Sequence, residues 1–343
     1  MTTTAPVEQV SVQPTARRRT VLWWAGFGAA MVLLQLYVYG SWIASDDFKV
    51  VPTGIDPVPD SEKMWAVMLQ VAFTATALAT TAWIVRGCVK QRRLTFDAKL
   101  MLGWWSILWL DPAQFFLRPI NLYNSYYFNR GSWVTHIPGW IAHNVQNLPN
   151  PWFMEGAAYG FMILSSIAVC LVLAKVRARR PRTSGVLLFA VGWVLLGLGI
   201  FVLEEYIMIR GGWLSWSGVI HEVSIFDGTR YQFPWTESFF FGAMCTGMAA
   251  LRFWRDDRGR SFVERGSESI ASSRKATIVS VLAIIGFANV IMIAYNLVMI
   301  VQSLYVDPTP EIYPSYMLNG ICGAGTEFRC PGPDVPIVLN HRH

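Results

Sequence analysis

Seven stretches of the chain, near 21–43, 64–85, 100–120, 152–174, 184–206, 234–254 and 277–303, are apolar with few interruptions. A backbone in hydrocarbon must satisfy its own hydrogen bonds, and a helix needs about 20 apolar residues to cross. The pattern predicts an all-α, polytopic membrane bundle of about seven transmembrane helices, one domain over 21–303 between tails at 1–20 and 304–343. The connections alternate in kind. One set is short, basic and poor in aromatics; the other, above all 121–151 and 207–233, is long and rich in Tyr, Trp, Asn and Gly. Segments of that size fold back over a bundle and often carry function. An interfacial aromatic belt explains their Trp and Tyr equally well, and their Asn and His less well.

Charge orients the bundle. With the N-terminus inside, the inner segments hold 20 of the 28 Lys and Arg residues, in clusters at Arg17–Arg19, Arg86–Lys99, Lys175–Arg182 and Arg252–Lys275. Basic residues collect in cytoplasmic loops, so the N-terminus is expected in the cytoplasm and the C-terminus outside, in the cell membrane. The same asymmetry accounts for the net charge of +6, and nucleic acid need not be invoked. Composition agrees with a membrane protein: 53% of residues are hydrophobic and 15% charged. The first window follows an Arg cluster as a signal peptide would, but its apolar run is too long and lacks a small-x-small cleavage site. It is read as retained. In the outer tail, Cys322 and Cys330 suggest one disulfide-closed loop; Cys88, Cys170 and Cys245 read as packing residues.

The acids share a depth. The third window runs outward and puts Asp111 about 16 Å from its inner start, near the midplane. Glu155 falls in the first turn of the fourth window, Glu204 and Glu205 in the last turn of the fifth, Glu237 in the first turn of the sixth, and Tyr295 and Asn296 in the outer half of the seventh. Intramembrane acids are costly and tend to mark a wet cavity, transport or chemistry. The glutamates sit near helix ends, where headgroup water or a helix N-terminus accounts for them equally well; Asp111 has no such escape. Glu204 and Glu205 diverge by about 100° on an α-helix, so at most one faces a shared cavity, and Glu205 is taken as that one. Pro112 removes the partner of the Leu108 carbonyl and predicts a break in the third helix, with Asp111 and Gln114 beside it. Broken helices are tolerated where they line a cavity.

Other chemistries fare worse. His136, His143 and His221 could make a three-histidine metal site only if two outer segments met, and nothing in their spacing fixes that. "HEVSI" at 221–225 lacks the second histidine of a zincin, and there is no P-loop, GxGxxG or GxSxG. His341 and His343 end the chain. No internal repeat is visible, which weakens an inverted-repeat transporter.

The runs "WLDPAQFFLRP", "YNSYYFNRGSW" and "IPGW" at 137–140, on a chain of this length and hydropathy, resemble the AveC-type spirocyclase family of actinobacterial membrane proteins. The resemblance implies cyclisation of a dihydroxy-ketone polyketide to a spiroketal, in some members with a further dehydration, and no cofactor. It transfers no catalytic set, so candidate residues rest on depth and chemistry. Asp111 is the leading acid or base, with Glu155, Glu205 or Glu237 as partner. Gln114, Tyr295 and Asn296 join them, and Tyr123, Asn124, Trp133 and Trp140 are expected at the entrance to the site. An apolar small-molecule substrate would arrive from the lipid bilayer. Two other classes fit the same residues: a proton-coupled transporter or exporter of an apolar molecule, and a non-catalytic lipid-binding scaffold.

Overall fold

The computed structural model describes residues 14–310 and 312–337, except for the side chains of residues 14–18 and 152. His341 and His343 lie outside that range. Nine α-helices are present among the described residues: α1 (Pro14–Ile43), α2 (Asp60–Gln91), α3 (Phe96–Trp105), α4 (Trp152–Phe161), α5 (Ile163–Arg179), α6 (Gly185–Phe201), α7 (Trp235–Phe253), α8 (Ser273–Gln302) and the short α9 (Ser315–Leu318). Four short strands accompany them: β1 (Asn121–Tyr123), β2 (Leu214–Trp216), β3 (Ser224–Ile225) and β4 (Phe233–Pro234).

Among the described residues, five helical stretches are long and apolar enough to cross a membrane: Arg19–Ile43, Asp60–Gln91, Phe153–Arg179, Gly185–Ile209 and Ser273–Gln302. Two of the seven expected windows do not qualify. The third breaks into the 10-residue α3 and a 3-10 helix at Leu108–Phe115, with Pro112 inside it. Its apolar weight comes from side chains sealed within the protein, with Trp104, Trp109 and Phe115 essentially inaccessible. Hydropathy cannot tell that burial from lipid contact. The sixth window forms the 19-residue α7, whose Thr, Glu, Ser and Gly positions dilute its apolar content.

Small residues bring the helix backbones close, the usual device where lipid offers no hydrophobic drive for helix pairing. A Cβ on Gly28 of α1 would stand 2.0 Å from the Leu282 carbonyl oxygen of α8, and one on Gly286 of α8 2.2 Å from that of Trp24. Gly197 and Gly242 do the same for α6 and α7, where a Cβ on Gly242 would meet the Gly197 Cα at 2.7 Å. This second seam matters for function. It fixes the end of α6 against the start of α7, where Glu204 and Glu237 lie.

The two long connections meet over one end of the bundle. β1 pairs antiparallel with β2, Asn121 opposite Trp216, Leu122 opposite Ser215 and Tyr123 opposite Leu214, while β3 pairs with β4. α9 packs beside this ribbon: Ser125 N–H donates to the Tyr316 carbonyl at 2.9 Å and the Asn319 amide to the Tyr123 carbonyl at 2.8 Å. Cys322 and Cys330 form a disulfide just beyond it. At the opposite end, Arg252 pairs with Asp97 at 2.9 Å, and Lys99 donates to Glu264.

One buried carboxylate clasps the ribbon to α2. Glu62 accepts from Arg230 at 2.7 Å and from the Asn124 amide at 3.1 Å, with the Tyr316 hydroxyl at 3.4 Å. Gly212 is required beside it, since φ is +72° there and a Cβ would press within 2.8 Å of the Glu62 carboxyl. Removing one partner of such a pair strands the other. Because Arg230 keeps some solvent exposure, Glu62→Ala is expected to cost roughly 2 to 3 kcal/mol, below the cost at a fully sealed pair. Thermal unfolding in detergent checks this, and an unchanged midpoint would mean the ribbon is held elsewhere.

Candidate functional site

The break after α3 is built rather than frayed. Its irregular carbonyls are taken up by side chains: Asn296 donates to Leu110 O at 2.8 Å and the Trp133 indole to Trp109 O at 2.8 Å. The Trp109 indole donates in turn to Asn289 at 3.3 Å. Irregular backbone at this depth survives because protein groups replace the missing helical bonds. The break therefore has a consequence for Asp111: it turns the residue's carboxyl into a cavity under the ribbon.

Four carboxyls line that cavity, each from a different element: Asp111 from the 3-10 helix, Glu155 from α4, Glu204 from a π-helical stretch at Val202–Ile209, and Glu237 from α7. Glu155 and Glu237 are buried. Asp111 and Glu204 keep partial exposure, and both face the cavity. Two of the four are held by tyrosines. The Tyr159 hydroxyl donates to Asp111, and the Tyr295 hydroxyl donates to Glu237 at 2.5 Å. The Gln114 amide oxygen stands 3.5 Å from that same hydroxyl. The other two are held less firmly: among the described residues neither oxygen of Glu155 nor Oε2 of Glu204 has a close hydrogen bond, although Asn150 stands beside Glu155 and the Glu237 carboxyl beside Glu204. Tyr123 faces Asp111 and Glu155 more loosely, and Trp216 faces Glu204.

Ribbon residues Asn121, Tyr123, Leu214 and Trp216 close the cavity, and Phe73 and Trp213 pack edge to face at 5.6 Å on one side. The free space is about 80 Å³, room for a few water molecules. A polyketide-sized ligand enters only if the wall gives. Carboxyl groups on a largely apolar surface suit proton transfer to and from a substrate of low polarity.

The geometry sorts the sequence candidates. Asp111, Glu155, Glu237, Gln114, Tyr123 and Tyr295 come together. Glu205 does not. It turns away from the cavity, where Arg210 binds it at 2.9 Å, and Glu204 takes the wall position instead. The π-helix is the reason: its i→i+5 bonding shifts the register within which the two glutamates were compared. Asn124 and Trp133 do not line the cavity: one is bound to Glu62 and the Gly212 carbonyl, the other to the break. Trp140 donates to the Ala142 carbonyl at 2.9 Å and packs edge to face with Phe116, away from the cavity lining. Asn296 supports the Leu110 carbonyl and does not line the cavity. Pro112 leaves the carbonyls of Trp109 and Leu110, rather than an open carbonyl at Leu108, as the ones that side chains satisfy.

Tyr159 was not singled out by sequence, although a signal existed: it follows Glu155 by four residues and so shares its face of α4. Trp213 and Trp216 carried no signal beyond belonging to an aromatic-rich segment. The histidines are engaged separately, His136 with Asp47 and Ser45, His143 against the Phe328 ring and His221 beside Asp307. Among the described residues no group of three His, Cys, Asp or Glu side chains is arranged to hold a metal ion.

A family model described as "Spirocyclase AveC-like" matches residues 91–318, about two thirds of the chain. That span contains all four cavity carboxyls and both strands of the ribbon. No curated protein and no solved structure matches the chain.

Proposed function

Because the chain belongs to the AveC-like spirocyclase family, we propose that it is a membrane-embedded cyclase that closes an apolar dihydroxy-ketone to a spiroketal at the carboxyl cavity. The observation that carries this reading is the convergence of four carboxyls from four elements on one apolar-walled space. Spiroketal formation consumes both proton donors and proton acceptors. One substrate hydroxyl adds to the ketone and gives a hemiketal. The hemiketal hydroxyl, once the ketone oxygen, then leaves as water after protonation, and an oxocarbenium ion remains. The second hydroxyl attacks that carbon and gives up its proton, for a net loss of one water.

The hydrogen bonds suggest a division of labour. Glu155 and Glu204, held less firmly than the other two, are suited to carry the proton that the departing water takes. Asp111 and Glu237 accept tyrosine hydroxyls, and are suited to stabilise the cation and take the last proton. The faces of Tyr123 and Trp216 can shield the cation from water. In this reading the cavity lies toward the extracytoplasmic side of the cell membrane, because the opposite end carries the Arg and Lys clusters that cytoplasmic loops retain. The substrate reaches the cavity from the bilayer, and no cofactor takes part.

Mass spectra of apolar extracts from cells with and without the protein test the reading. A species lighter by one water, appearing only with the protein, is the expected result. An unchanged profile, together with pH-gradient-driven movement of an apolar compound into vesicles, would replace the cyclase with a transporter. An unchanged profile without such movement would leave a scaffold.

A further inference from the structure

At the end of the bundle away from the ribbon, the α2–α3 connection and the α7–α8 connection face one another across a cleft of about 270 Å³. Its walls carry Arg93, Lys99, Arg255, Arg258 and Arg260, with Asp97 as the one acid. Most of that charge could in principle cancel internally, so each pair matters. Asp97 is taken by Arg252, and Lys99 by Glu264, which also receives the Ser261 N–H and hydroxyl. Arg260 holds both Asp256 and Glu268. Against the effect of partial burial, the Arg260 backbone N–H and guanidinium hold the Asp256 carboxyl below its ordinary range, so it stays charged and committed.

Three cations remain. Among the described residues, Arg93, Arg255 and Arg258 make no ion pair within 4 Å; Arg93 donates to the neutral Gln91 amide oxygen at 3.3 Å, and Arg258 acts only at longer range on Glu268, which Arg260 already binds. Arg255 is ordered nonetheless: its guanidinium lies 5.0 Å over the Phe96 ring, and its Nε donates to the Arg252 carbonyl at 3.0 Å. The cleft also sits at a defined depth. Arg93 follows directly on the last turn of α2, a helix long and apolar enough to cross a membrane, and the cleft begins at Gln91 where that helix ends. Below it on α2, Val85 and Val89 are one turn apart and exposed. Cations at a helix end above an exposed apolar face match a phosphate joined to acyl chains.

We propose that this cleft binds the phosphate of an anionic membrane lipid, with Arg93, Arg255 and Arg258 as its ligands. A guanidinium presents paired donors to phosphate oxygens, and a basic residue near an anionic surface contributes about 1 kcal/mol, roughly fivefold in affinity. The test titrates detergent-solubilised full-length protein with short-chain phosphatidylglycerol, short-chain phosphatidylcholine and inorganic phosphate, reading thermal stabilisation. The expected order has phosphatidylglycerol tightest, with affinity falling as salt rises. The triple variant Arg93→Gln, Arg255→Gln, Arg258→Gln should lose on the order of a hundredfold. A control triple at the same end, Arg179→Gln, Arg180→Gln, Arg182→Gln, should change little. Equal losses in the two triples would mean diffuse surface charge and overturn the site. Inorganic phosphate binding as tightly as the lipid would overturn the lipid assignment, and so would salt-independent binding by the wild type, which needs no variant to fold.

Discussion

Glu204→Gln is expected to reduce turnover by a factor on the order of 10² to 10⁴, the usual cost of losing a positioned acid or base. Glu205→Gln, one residue on, should leave turnover within about threefold and instead lower stability by about 1 to 2 kcal/mol through its charge-assisted bonds to Arg210. The contrast is demanding because the two residues are chemically identical neighbours. Only their direction differs, Glu204 into the cavity and Glu205 toward Arg210. Arg210 is itself positioned over the Tyr231 ring at 4.3 Å, so the pair belongs to the packing of the connection between β3 and β4. Initial rates and thermal midpoints of the two purified variants separate the roles. Equal loss of activity in both would mean that the π-helical register does not set function, and the cavity assignment of Glu204 would fall.

Gly28→Ala is expected to destabilise the fold by about 1 to 3 kcal/mol or more, because the added methyl meets backbone that cannot rotate away. Its nearest neighbour would be the Leu282 carbonyl oxygen at 2.0 Å, with the Gly286 nitrogen at 2.8 Å. Either α1 and α8 separate, or the protein does not assemble. Gly26 lies two residues earlier on the same helix with nothing within 4 Å of an added Cβ. Gly26→Ala should therefore be neutral or slightly stabilising, as alanine is the better helix former. Folded yield and thermal midpoint in detergent compare the two directly. Equal behaviour would show that the α1–α8 crossing is looser than the backbone distances require.

What could be read from the sequence follows from which forces act locally. Long apolar runs reported a helical membrane protein, since lipid exposure leaves little choice of residue at positions such as Leu33 or Val71. They do not fix the number of crossings, because Trp104, Trp109 and Phe115 are apolar for a different reason: they fill the protein's own interior. The shared depth of Asp111, Glu155 and Glu237 was readable from position along each window, and depth alone was enough to bring their elements together. Facing is a finer property. It depends on helix register, and the π-helix at Val202–Ile209 changes register without any proline or glycine to announce it. The aromatic segments depend on facing in the same way. Trp133 and Trp140 look like the wall of an open site, yet their indoles are committed to carbonyls of Trp109 and Ala142. The cavity roof is formed instead where β1 meets β2, a pairing between segments some ninety residues apart that no local pattern encodes.

The central claim is that the break after α3 exists to present Asp111 to a substrate. The direct measurement is conversion of the apolar precursor, identified as the species that loses one water, by reconstituted wild type and Asp111→Asn. Asparagine keeps the shape and can still meet Tyr159, but it can neither carry nor accept the proton. The account predicts at least a hundredfold loss of conversion with the fold intact. Full conversion by Asp111→Asn would contradict it and leave the carboxyl as a structural anchor for α4.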